Sequence, residues 1–175
     1  MKGKNEQGFT LIELLIVVAI ISIIAAIAVP GLLRARMTGN ETSAIASLKV
    51  TTSSQVAYSA ACGNGAYAQT YIILGTPLVA NSEAFISADL GLSATPAKSG
   101  YNFAMVAGAA GASATLDCLN RATNAGYYAT AGPQAFGTTG TRAFAVNAGN
   151  TIWQSTTATV PAEPFTASAT VTPIQ

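Results

Sequence analysis

From Phe9 to Leu33 the chain reads FTLIELLIVVAIISIIAAIAVPGLL, an apolar run with one charged position, Glu13. At 1.5 Å per residue, a helix of that length covers the roughly 30 Å hydrocarbon core of a bilayer. After Pro30 the pattern becomes periodic. Met37, Ala44, Ile45, Leu48, Thr52, Gln55 and Val56 fall at three- and four-residue steps, while Asn40, Glu41, Ser47, Lys49 and Ser54 take the opposite side. This predicts an amphipathic helix, weakened at Gly39 and stopped by Cys62-Gly63-Asn64-Gly65. Residues 63–100 read as an irregular connection with a short helix or strand at Tyr71–Leu74, punctuated by Gly75, Pro77, Pro96 and Gly100. Strands are predicted over Tyr101–Val106, with Tyr101, Phe103 and Met105 on one face, and over Tyr127–Ala131. Arg142–Val146 and Thr151–Gln154 form a predicted hairpin across Asn147-Ala148-Gly149-Asn150. From Thr156 a Thr-, Ala- and Pro-rich tail reads as extended.

Composition narrows the class. Only 9% of the 175 residues are charged, against about 25% in an ordinary soluble protein. The apolar run accounts for part of the deficit. The rest comes from a C-terminal portion rich in Ala, Ser, Thr, Gly and Asn, polar without charge, which suits a domain packed beside copies of itself or exposed outside the cell. A net charge of +1 gives no general pull toward nucleic acid, and no Lys/Arg cluster stands beyond the pair Arg34 and Arg36 just after the apolar run. Two cysteines, Cys62 and Cys118, read as one disulfide if the protein is exported, or as two buried thiols otherwise.

Catalytic chemistry finds no support. Without histidine there is no Ser-His-Asp or Cys-His arrangement, and a zinc site is not expected. A phosphate-binding loop ending in Gly-Lys-Ser/Thr is absent, and the later acids Glu83, Asp89, Asp117 and Glu163 lie far apart in sequence. Asn147–Asn150 offers oxygen atoms but not the spacing of a calcium loop, so it reads as a plain turn. Asn40-Glu41-Thr42 has the minimal glycosylation pattern but falls in a predicted helix. Tyr58, Tyr67, Tyr71, Tyr101, Tyr127 and Tyr128 read as core and interface aromatics rather than an electron path. No enzyme activity, cofactor, metal or small-molecule substrate is expected.

The N-terminus is the most informative stretch. Before the apolar run stands MKGKNEQG, short and polar. A secretory signal peptide has a shorter apolar stretch closed by a small-residue cleavage site. A plain signal anchor leaves Glu13 unexplained, since a carboxylate in lipid costs about 2.5–3.5 kcal/mol. The string Gly8-Phe9-Thr10-Leu11-Ile12-Glu13, followed by the apolar run, resembles the prepilin signature of type IV pilins and type II secretion pseudopilins. The resemblance implies leader cleavage between Gly8 and Phe9 by a prepilin peptidase and N-methylation of Phe9. Glu13 then lies four residues from the new amine and is suited to pair with the amine of a neighbouring subunit, as a register device. Pro30 stands where the family bends its helix, because proline removes the donor that the Ala26 carbonyl needs. Ser22 replaces a glycine usual in the family, and a competing reading ends the helix near Pro30.

Residues and resemblance together imply an α+β chain: a leader at 1–8, a transmembrane or filament-core helical segment at 9–33, an amphipathic half at 34–62, and a globular domain with an antiparallel sheet at 63–175. Lys2 and Lys4 argue for a cytoplasmic N-terminus, whereas Arg34 and Arg36 argue the opposite. The leader resemblance and the cysteine pair favour the first. The implied protein is a homopolymer subunit, stored in the inner membrane and then exported as a surface filament for adhesion, motility or DNA uptake. It would need a prepilin peptidase/methyltransferase and an inner-membrane assembly platform with a separate ATPase. Two alternatives stand beside it: a pseudopilin in a short periplasmic filament, and a membrane-anchored binding protein that never polymerises.

Overall fold

The computed structural model describes residues 9–79 and 82–174. Residues 1–8, the expected leader with Gly8, Lys2 and Lys4, lie outside the described residues. The chain divides into two compact units, residues 1–36 and residues 37–175, and the division falls inside one helix.

That helix, α1, runs Leu11–Ala61 and contains Pro30. Helical structure therefore continues past the proline, which corrects the reading in which it ends there. One absent N–H does not outweigh the hydrogen bonds of the turns on either side. In the first unit the apolar side chains are exposed, with Ile27 at 78%. Ser22 spends its hydroxyl on the Val18 carbonyl, 2.8 Å away.

In the second unit α1 buries Glu41, Ala44, Leu48, Thr51, Gln55 and Tyr58, followed by Cys62. The steps alternate three and four, so the expected period is present. Its phase differs from expectation: Glu41, Ser47 and Ser54 are buried, although their polarity assigns them to solvent, and Val56 is exposed. Partners account for the burial of Ser54, Gln55 and Thr51. Ser54 donates to the Phe85 carbonyl at 2.7 Å. The Gln55 side chain brackets Ala68, donating to its carbonyl and accepting from its N–H, both at 2.9 Å. Thr51 lies 3.3 Å from the Tyr71 hydroxyl. A buried polar group with its hydrogen bonds made costs little, so these positions serve as core. The helix ends as its stop signal requires, with Asn64 and Gly65 at positive φ and the Gly65 N–H on the Ser59 carbonyl. Gly63 is needed for closeness: a Cβ there would stand 2.2 Å from the Ala66 carbonyl oxygen.

The connection contains two short helices, α2 (Tyr71–Gly75) and α3 (Ala88–Gly91). α2 is N-capped by Thr70. They meet at Gly75 and Gly91, where a Cβ on Gly75 would come within 2.5 Å of the Gly91 Cα.

Among the described residues eight strands follow: β1 (Ala97–Lys98), β2 (Tyr101–Ala107), β3 (Ala112–Leu116), β4 (Ala122–Asn124), β5 (Tyr127–Pro133), β6 (Ala143–Asn147), β7 (Ile152–Ser155) and β8 (Val171–Pro173). Six form one antiparallel sheet in the order β1-β2-β5-β6-β7-β8, and β3-β4 is a separate two-stranded hairpin inserted between β2 and β5. The expected alternation holds in β2, where Tyr101, Phe103 and Met105 are buried. The predicted hairpin is β6-β7, in register Val146↔Ile152, with Arg142 and Thr151 outside the strands. Helix α3 and strands β1, β3, β4 and β8 carry no signal in the sequence pattern. The tail from Thr156 crosses the sheet before pairing as β8. Phe165 stacks on Trp153 at 5.4 Å, and the Tyr128 hydroxyl donates to the Pro161 carbonyl. The result is a long helix and an antiparallel sheet domain, the α+β class expected.

Candidate functional site

The N-terminal end of α1 is built as a capping box. Thr10 lies just outside the helix, and its hydroxyl accepts from the Glu13 N–H at 3.3 Å. Glu13 reaches back: one carboxylate oxygen, Oε2, accepts from the Thr10 N–H at 2.9 Å and from the Thr10 hydroxyl at 2.6 Å. Two otherwise orphaned helix donors are thereby satisfied. Thr10 is the residue of this site that the sequence expectation lacks, although its Thr-x-x-Glu spacing carries the signal. The carboxylate also stands at the positive end of the helix dipole. Phe9, Leu11 and Ile12 around it are exposed and apolar. Among the described residues, Glu13 thus carries a charge on an apolar surface, held by the neutral donors of Thr10.

At the other end of α1 the chain is clasped to the β3-β4 hairpin. Cys62 and Cys118 form a disulfide. Beside it the Cys118 N–H donates to the Cys62 carbonyl at 2.8 Å, and the Asn64 amide to the Leu116 carbonyl at 2.9 Å. The Tyr58 hydroxyl donates to Asp117 at 2.7 Å. Asp117 is buried and also accepts from the N–H groups of Leu119 and Arg121, at 2.9 and 2.7 Å, and from the Arg121 guanidinium at 2.6 Å. Burial alone would raise the Asp117 pKa, but these donors outweigh it and bring it down to about 2. Burial, with Asp117 beside it, pushes the Tyr58 phenol up.

Comparison with known proteins also points to the N-terminal end of the chain. Residues 3–29 match the family model described as the prokaryotic N-terminal methylation motif. The chain is 38% identical over 116 residues, 62% of its own length and 77% of the relative's, to the type IV wide pilus major component PilA4 of Thermus thermophilus. This chain belongs to the type IV pilin family. No solved structure matches this pilin. Family membership implies a structural subunit rather than an enzyme, and the apolar first unit of the pilin fits a membrane-anchored precursor that becomes a surface filament.

Four other features of the pilin are structural. Glu41 is 5% exposed and forms an ion pair with Arg142 at 2.7 Å. It also accepts from the Thr141 N–H at 2.7 Å and the Thr141 hydroxyl at 2.9 Å. Burial would raise its pKa, but the Thr141 and Arg142 donors more than offset it and hold the carboxyl below its usual range. Asn147 spends its side chain inside its own turn, on the Gly149 N–H at 3.0 Å, and on Glu163 at 2.5 Å. Both polar atoms of the Asn147 side chain are thus engaged. Among the described residues no cluster of three His, Cys, Asp or Glu side chains could hold a metal. Asn40 sits in α1 and donates to the Thr139 carbonyl at 2.9 Å, so its amide has an internal role. Tyr58, Tyr71, Tyr101 and Tyr127 are buried as core aromatics.

Proposed function

We propose that this pilin is the repeating subunit of a type IV pilus. The chain is inserted as a precursor with its N-terminus in the cytoplasm, cut between Gly8 and Phe9 by a prepilin peptidase, and N-methylated on Phe9. Subunits then leave the inner membrane through an assembly platform driven by a separate ATPase. They polymerise with their apolar helical segments inside the filament. Pro30 allows that segment to bend as it packs. The polymer serves adhesion, twitching motility or DNA uptake.

The observation that carries the reading is Glu13, a carboxylate on the first turn of the apolar segment of α1, which accepts hydrogen bonds from Thr10. Cleavage would place an ammonium at Phe9. The amine of one subunit and Glu13 of the next would then neutralise each other and set the stagger between copies. The similar protein is named a major pilus component, which favours a long pilus over a pseudopilus.

Intact-mass spectrometry of material sheared from cells tests this directly. The expected species starts at Phe9, carries one methyl group and lacks two hydrogens for the disulfide. Processed chain confined to the envelope would point to a periplasmic pseudopilus. Leader-bearing chain confined to the membrane, with Glu13→Ala behaving as wild type, would sink the filament reading in favour of an anchored binding protein.

A further inference from the structure

Asn64-Gly65 is the one Asn-Gly dipeptide in the sequence. It stands in the stop at the end of α1, where both residues are exposed and both take positive φ, 50° and 86°. Asn-Gly has a chemistry of its own. The backbone nitrogen of the glycine attacks the side-chain amide carbon of the asparagine. A C–N bond forms, ammonia leaves and a five-membered succinimide results. Water then opens the ring to aspartate or isoaspartate. Glycine favours the attack because it has no Cβ to obstruct it. At Gly65 a Cβ would meet nothing within 4 Å, so packing does not block the reaction either.

Hydrogen bonds block it instead. The Gly65 N–H, which carries the nucleophile, donates to the Ser59 carbonyl at 3.0 Å. The Asn64 amide nitrogen, the leaving group, donates to the Leu116 carbonyl of β3 at 2.9 Å. Ring closure needs the nitrogen and the amide carbon brought together in one geometry. Here the first group is held on α1 and the second on the hairpin. The second hold lasts only while the hairpin stays closed. Its fastening is the Cys62–Cys118 disulfide, two positions from Asn64 on one side and two from Leu116 on the other. Cys62 is buried and Cys118 is exposed, so the hairpin half of the bond lies at the surface.

We propose that Asn64 is a deamidation site gated by this disulfide, closed while Cys62 and Cys118 are joined and open once they are reduced. A dithiol supplies two electrons and two protons. It leaves as its own disulfide, and the two cysteines become thiols. The hydrogen bonds of the clasp remain the resting arrangement, but without the covalent link they open more often. Each opening frees the Asn64 amide from the Leu116 carbonyl and lets the ring close. The product cannot return to the clasp. Aspartate has no N–H to give the Leu116 carbonyl, and isoaspartate lengthens the main chain by one methylene inside the turn. A reversible reduction is thereby converted into a permanent mark beside the disulfide.

Peptide mapping by mass spectrometry tests the gate on the full chain in detergent, held in mildly alkaline buffer with and without dithiothreitol. The oxidised chain is expected to keep Asn64 intact. The reduced chain is expected to convert it at least about tenfold faster, which needs the local opening to become easier by only about 1.4 kcal/mol. Cys62→Ser combined with Cys118→Ser is expected to match the reduced chain with no reductant present. Asn147, in the β6-β7 turn, is expected to stay unconverted throughout and serves as the internal control. Equal rates at Asn64 with and without dithiothreitol, both slow or both fast, would overturn the proposal. Conversion of Asn147 rising with that of Asn64 would overturn it as well. So would loss of hydrogen-exchange protection across β5 and β6 on reduction, because the whole domain, and not the clasp, would then have opened.

Discussion

Thr10 shows how much one hydroxyl can do at a chain terminus. It caps α1 and at the same time supplies a donor to the carboxylate of Glu13. Losing an N-cap of this kind costs about 0.5–2 kcal/mol. Thr10→Val keeps the shape and removes the hydroxyl. It is expected to fray the first turn, leave Glu13 with fewer donors and reduce assembled filament, whereas Thr10→Ser is expected to assemble normally. Equal polymer yields from both variants would show that the box is incidental. Glu41 is the second residue of this kind. Glu41→Ala removes one partner of a largely buried pair, and breaking such a pair costs about 3–5 kcal/mol when both charges are fully buried. Arg142 is partly exposed, so screening reduces the expected loss to roughly 2 kcal/mol. Glu41→Gln, which keeps an acceptor for Thr141, is expected to lose less. Thermal unfolding of the detergent-solubilised chain gives both values.

Among the elements, those that announce themselves through apolar side chains were legible. The apolar half of α1, strand β2 with Tyr101, Phe103 and Met105, and the β6-β7 hairpin with its Asn-rich turn all match expectation within a residue or two. The second half of α1 was legible in period and not in phase. Its buried stripe contains Glu41, Thr51 and Gln55, and the partner of Glu41 lies about a hundred positions away. No local pattern contains that information. Strands β3 and β4 were illegible for a related reason. Their residues are mostly small, β3 is largely exposed and the two buried residues of β4, Thr123 and Asn124, are polar, while the hairpin is organised from its tip by Asp117, Arg121 and Cys118. Strand β8 is three residues at a sheet edge, one of them a proline. The disulfide clasp therefore predicts a graded outcome. Replacing Cys62 and Cys118 by serine frees a loop with a sequence separation of 56. The chain-entropy model assigns roughly 4 kcal/mol to a closure of that size. The Tyr58–Asp117 and Asn64–Leu116 bonds remain, so the expected variant is one that melts earlier while keeping its helical content. A circular dichroism spectrum with lost helix at low temperature would mean that the clasp is needed to form the fold.

At the scale of the whole molecule, scarcity of charge sets the response to pH. The chain has no histidine, so no side chain titrates near neutrality in its ordinary range. Acid acts through the paired carboxylates. Glu41, Asp89 and Asp117 are all held below their usual range in the folded chain, Asp117 at about 2. A carboxylate depressed by folding stabilises the native state above its unfolded pKa of about 4, and that stabilisation is lost as pH falls through the folded value. Base acts through the buried phenols. Burial raises Tyr58, Tyr71 and Tyr101, with Tyr71 pushed up to about 12. A phenol raised by folding stabilises the native state below its unfolded pKa of about 10, and that contribution is lost as pH rises through the folded value. The two limbs bracket a plateau. Melting temperature is expected to stay nearly constant from about pH 5 to 9, to fall below about pH 4 and to fall again above about pH 10. The acid limb has an assignable part. Asp117→Asn removes the most strongly depressed carboxyl, so the variant starts from lower stability and loses less of it between pH 4 and pH 2 than the unaltered chain. A variant that falls as steeply as the unaltered chain would shift the acid response away from the Asp117 clasp and onto Glu41 and Asp89.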